Sequence, residues 1–160
     1  MSRTPVLRLS HSLVLFAVAA AACLAWAAEP LLGKWHLERQ EVDGQKFDSS
    51  PLTLEVSQNG DKLAFAFSVP ENDANVVRMT YVLKLDGDEA DVKNANGEKI
   101  GTVQMAHAGA GQYKIILKRP DRHDSAGKLV VSADGKTLTS ETDTLQAGRP
   151  VHTTQQFSRR

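Results

Sequence analysis

The stretch LTLEVSQNGDKLAFAFSV, running from Leu52 to Val69, decides how the rest of the chain is read. On one side Leu52, Leu54 and Val56 alternate with Thr53, Glu55 and Ser57; on the other Leu63, Phe65 and Phe67 alternate with small residues. Asn59-Gly60 stands between them, and Asn-Gly supplies the positive φ angles of a tight hairpin. Period-two alternation on both sides of such a turn is the signature of paired antiparallel strands with one dry and one wet face.

The same grammar extends outward. Asp86-Gly87, Asn96-Gly97, Ala108 to Gly111, Asp134-Gly135 and Ala147-Gly148 separate further alternating segments. Val77, Met79, Tyr81, Leu83 and Leu85 share one face, as do Tyr113, Ile115 and Leu117, with Lys114 and Lys118 opposite. The spacing predicts strands over Gly33–Gln40, Leu52–Gln58, Lys62–Val69, Val76–Leu85 and Glu89–Lys93. It continues with Lys99–Ala106, Gln112–Arg119, Lys128–Ser132, Lys136–Thr142 and Val151–Ser158. Pro30, Pro51, Pro70, Pro120 and Pro150 sit at segment boundaries, where the missing N–H does not interrupt a ladder. No amphipathic helix is evident after the leader. The expected fold is all-β, an antiparallel up-and-down meander of about 8–10 strands. Closure into a barrel removes the exposed edges of such a sheet.

The N-terminus reads as an address. Arg3 and Arg8 precede sixteen apolar residues from Leu13 to Ala28, too few for a standard span of about 20. Ala25-Trp26-Ala27 is the small-x-small pattern of a cleaved leader. Residues 1–27 are therefore read as a signal peptide and 28–160 as one barrel domain, exported to the periplasm or secreted. A retained anchor, or a lipid attached at Cys23, is the alternative. The 19 acidic residues all follow the leader while two of the 19 basic ones lie in it, so the domain carries a net charge of −2. Such a balance, with no basic patch, argues against nucleic acid or an anionic membrane surface as partner. Cys23 is the only cysteine, so the domain has no disulfide.

Motifs of chemistry are missing. There is no Gly-x-Ser-x-Gly elbow, Walker loop, His-Glu-x-x-His or cysteine pair, so neither a cofactor nor an enzymatic activity is implied. Asp86-Gly87-Asp88-Glu89 begins like a calcium loop but fails at Ala90, Asp91 and Gly97, and is read as a charged hairpin. Asp121-Arg122-His123-Asp124 would need His36, His107 or His152 nearby to hold a metal, and a polar loop is the plainer account.

Gly33-Lys34-Trp35 opens the first strand, Phe157-Ser158-Arg159 closes the last, and Val130 to Thr139 forms a characteristic stretch between them. In these pieces the chain resembles bacterial lipocalin-like exported proteins. The resemblance implies a lipocalin-like β-barrel in which an arginine crosses the tryptophan, making Gly33, Trp35 and Arg159 a structural plug. Physically, a guanidinium on an indole adds about 0.5–2 kcal/mol. Two departures stand out. Fatty-acid-binding proteins insert two helices after their first strand, whereas Glu41 to Ser50 is too short for them. Lipocalins also carry a helix after the barrel, and here the sequence stops at Arg160.

Two functions compete. In one, the barrel binds a small apolar or amphipathic ligand in its interior, lined by Leu63, Phe65, Phe67, Met79, Tyr81, Leu83, Met105, Tyr113, Ile115 and Leu117. In the other, those residues fill a solid core. The protein then acts as an envelope interaction or inhibitor module through the rim loops Pro70–Asn75 and Pro120–Gly127.

Overall fold

The computed structural model describes residues 29–48, 51–120 and 123–160, so the leader, with Cys23, lies outside the described residues. Eleven strands follow in order: β1 (Gly33–Val42), β2 (Gln45–Phe47), β3 (Thr53–Asn59), β4 (Lys62–Glu71), β5 (Ala74–Leu83) and β6 (Asp86–Asn94). They continue with β7 (Lys99–Gly109), β8 (Gln112–Lys118), β9 (Ser125–Val131), β10 (Thr137–Gln146) and β11 (Arg149–Arg159). Every neighbour is antiparallel, and β11 returns to pair with β1 from Trp35↔Arg159 to Val42↔Thr153, closing the sheet on itself.

Ten strands make the closed ring. The eleventh, β2, was not anticipated. Its turn is Asp43-Gly44, with φ of 50° and 77°, the same signal that marks the other hairpins. The lower half of β1 pairs with β3 and its upper half with β2, so the two share one edge of β1 end to end. Another tight turn uses no glycine: Asn72 and Asp73 take φ of 48° and 65° between β4 and β5. Asn and Asp are the non-glycine residues that tolerate this region best.

Two irregularities re-aim side chains. The β4–β5 register shifts beyond Phe67↔Met79, so that Val77, expected inside, is 40% exposed, while Val76 is half-buried. In β1 the register shifts between Leu37 and Arg39, which turns Gln40 inward opposite Gln155. A bulge adds one residue to one strand and inverts the alternation beyond it.

Alternate turns define the two ends. At one end lie Asn59 to Lys62, Lys84-Leu85, Gly109 to Gln112 and Ser132 to Lys136, together with the start of β1 and the end of β11. That end is closed. The Trp35 indole is fully buried, and its Nε1 donates to the Leu31 carbonyl at 2.8 Å. The Arg159 guanidinium lies 4.4 Å from the indole ring and donates through Nη2 to the Pro30 carbonyl at 2.6 Å. Arg160 instead turns to Glu38. Gly33 serves by its backbone: φ is 131°, and an added Cβ would meet only the Arg159 side chain at ordinary contact distance.

The strap 29–32 completes the cork. Leu31 has no exposed surface, the Tyr113 hydroxyl donates to the Glu29 carboxylate, and His107 Nε2 stands 3.6 Å from the same group. Burial pushes the phenols of Tyr81 and Tyr113 above their ordinary range, and the bond to Glu29 adds to this at Tyr113. These are the chain's two tyrosines. A raised folded pKa means that the barrel holds the neutral phenol more tightly than the unfolded chain does. Stability is therefore complete below about pH 10 and declines as pH rises past the unfolded value. Tyrosinate absorbance is expected to stay silent until the β-sheet circular dichroism collapses; ionisation near pH 10 with the sheet intact would contradict this packing.

Candidate functional site: a half-hollow interior

The other end is open. Above the cork a pocket of about 200 Å³ occupies the upper interior. Ten apolar residues line it, with Ser125, Ser140, Thr142 and Gln155, and none of these lining residues is charged. It opens into a vestibule of about 790 Å³, sharing Leu117, Ser125, Thr142 and Gln155 with it. Here the first charged side chain appears: Arg119 lines the vestibule together with His123, and Arg119 Nη2 donates to Met79 Sδ at 3.1 Å. Phe47, 51% exposed, stands opposite Gln40 on β2 at this end.

The interior residues named from the sequence divide by height. Phe67, Met79, Tyr81, Ile115 and Leu117 line the pocket. Phe65, Leu83, Met105 and Tyr113 do not: they are buried in the packed core outside the pocket lining, and Leu63 likewise. Phe65 stacks on Tyr81 with ring centroids 4.7 Å apart, so one face of Tyr81 meets the core while the residue also borders the pocket. Alternation correctly assigns all of these to the inside, but it does not say how far up the barrel each one lies.

Leu54, Val103, Leu129, Leu138 and Phe157 also line the pocket, as do the four polar residues. A signal for the latter existed. Once Leu138 and Phe157 face inward, steps of two place Ser140, Thr142 and Gln155 on the same face. Apolar pattern alone passes over them.

The remaining candidates do not converge. His36 bonds Thr53 on the wall, His107 faces Glu29 at the closed end, and His152 pairs with Asp143 at 2.7 Å on β10–β11. Among the described residues no group of three or more His, Cys, Asp or Glu could hold a metal ion. Asp121 and Arg122 lie outside the described residues. The acidic stretch from Asp86 forms the start of β6, where the Asp88 amide donates to Asp86 Oδ1. Of the two rim segments, Pro70–Asn75 lies at the open end, as do Pro120 and residues 123–127 of the second, which runs into the first residues of β9. No helix is long and apolar enough to cross a membrane among the described residues.

No family model matches the chain, and no curated protein matches it. Solved structures do. The chain is similar in fold to zebrafish ileal bile acid-binding protein complexed with cholic acid, with 20% identity and a TM-score of 0.57 over 82% of this chain and 99% of that one. A variant of the REP1-NXSQ fatty acid transporter gives 19% identity and a TM-score of 0.56 over 83% and 100% of the two chains. The S-type phycobiliprotein lyase CPES of Guillardia theta gives 10% and 0.54 over 82% and 89%. At these identities the likeness is one of fold: a closed antiparallel barrel of the lipocalin and fatty-acid-binding type.

Proposed function

We propose that this barrel binds one small apolar or amphipathic molecule, its hydrocarbon part in the upper interior and its polar part toward the vestibule. The observation that carries the reading is the asymmetry of the interior, corked at one end and hollow at the other. The deep pocket alone is smaller than the roughly 300–1,000 Å³ of typical small-molecule sites, so an occupant spans pocket and vestibule. The pocket walls offer apolar contact and neutral hydrogen-bonding groups and no acid–base pair, which supports carriage rather than catalysis. The fold neighbours, whose names give bile acid binding and fatty acid transport, are consistent with such a role.

An apolar dye that brightens in hydrocarbon is expected to bind saturably with one site per chain. Phe67→Trp places a reporter on the pocket wall, and its emission should shift on binding. Absence of saturable uptake, with no co-purified small molecule in native mass spectra, would contradict the reading.

We also propose that the chain is exported and that its leader is removed. The support is the basic start, the short apolar run and Ala25-Trp26-Ala27. The mass of the chain recovered from its host is expected to correspond to a start at Ala28. A recovered mass that retains residues 1–27, or that carries a lipid on Cys23, would contradict it.

A further inference from the structure

The Arg119 side chain lies across the mouth of the deep pocket. It follows the inward parity of Ile115 and Leu117 at the end of β8, and its Nη2 reaches the Met79 thioether on β5. In the ring order β7 and β6 stand between those two strands. The stem crosses β7 at Gly101, which has no side chain to block it. A Cβ there would sit 3.2 Å from Arg119 Cγ and 2.2 Å from the Lys118 carbonyl oxygen. Met79 lines the pocket and Arg119 the vestibule, so the sulfur–guanidinium contact marks the boundary between them.

After residue 27 the chain has two methionines, Met79 and Met105, and they are placed oppositely. Met105 is 1% exposed within the packed core, whereas Met79 is half-buried on the wall of a space that opens to solvent. An oxidant that enters the mouth therefore meets Met79 first. A thioether is a weak hydrogen-bond acceptor, so Arg119 holds the reduced side chain loosely. Oxidation to the sulfoxide turns that apolar group into a polar one with an oxygen acceptor. The guanidinium already stands in place to donate to it, and charge-assisted bonds are about twice as strong as neutral ones.

Building on the binding reading above, we propose that Met79 is an oxidation site that regulates the pocket, with a peroxide as the oxidant. The Met79 Sδ lone pair attacks one peroxide oxygen, and the O–O bond breaks as the S–O bond forms. The departing hydroxide takes the proton of the transferred oxygen and leaves as water. Sulfur is oxidised by two electrons and the peroxide is reduced by two. Arg119 then holds the new oxygen at the mouth, and the apolar wall gains a dipole that a hydrocarbon occupant has to desolvate.

Hydrogen peroxide, at a dose that oxidises free methionine, tests this on the purified protein by peptide mass mapping, apolar-dye titration and melting. Met79 is expected to gain one oxygen while Met105 stays reduced, and dye affinity to fall about tenfold. Methionine sulfoxide reductases for both epimers should restore it. Met79→Leu, close in volume, is expected to show no change in dye affinity on treatment. In Arg119→Leu the sulfoxide lacks its donor, so treatment should lower the melting temperature about 5 °C further than in the original chain. Four results would overturn the proposal while leaving the barrel a binder. They are Met79 left reduced, Met105 oxidised first, dye affinity unchanged with Met79 oxidised, and equal melting shifts with and without Arg119. Failure of the untreated protein to take up dye would remove the binding reading and this proposal with it.

Discussion

Trp35→Ala is expected to destabilise the barrel by about 3–5 kcal/mol, the range for emptying a buried large aromatic site. Three terms combine. The indole is fully buried, so its removal opens a cavity at the closed end. The Leu31 carbonyl loses the donor that held it at 2.8 Å. The Arg159 guanidinium, 4.4 Å from the ring, loses the surface on which it lies. Since domains of this size have about 5–15 kcal/mol in total, the loss is a large fraction of the whole. Thermal unfolding should fall by about 10–20 °C. Arg159→Gln removes only the stacking and one hydrogen bond and should cost about 1–2 kcal/mol. A Trp35→Ala melting shift under about 3 °C would show that the cork does not hold the barrel shut.

The second large effect is on binding. Ser140→Phe is expected to weaken dye affinity at least about a hundredfold while leaving the fold intact. Ser140 borders the pocket, opposite Leu129 on β9 and Gln155 on β11. A phenyl ring there takes up much of a space of about 200 Å³ and finds apolar neighbours in Leu129 and Phe157. The packed closed end is untouched, so melting should hold or rise, as it does when a cavity is filled without strain. Unchanged affinity in a folded variant would place the dye elsewhere on the molecule.

How much of this was legible in the sequence depends on what alternation can encode. Asn59-Gly60, Asn96-Gly97, Asp134-Gly135 and Ala147-Gly148 each mark a turn between two strands. Period two put Leu54, Phe65, Tyr81 and Tyr113 inside. Asp43-Gly44 carried the same message and went unread, because β2 is only three residues long and shows no alternation. Val77 was misplaced because a bulge inverts the pattern within a run that looks unbroken.

The site was harder to read. Face is a local property, fixed by one residue's parity along its strand. Height in the barrel depends on the register and stagger of all ten ring strands. Phe65 and Phe67 therefore look equivalent in sequence, yet only Phe67 borders the pocket. Ser140, Thr142 and Gln155 stayed invisible for another reason: small polar residues at inward positions resemble outward ones until the parity of Leu138 and Phe157 is known.

Methyl-detected NMR during titration with the apolar dye tests the half-hollow barrel most directly. The account predicts saturating shifts at Met79, Ile115, Leu117 and Leu54, with Val92, Met105 and Leu31 unmoved. Shifts centred on Leu31 and Met105, or none in the interior at all, would contradict it.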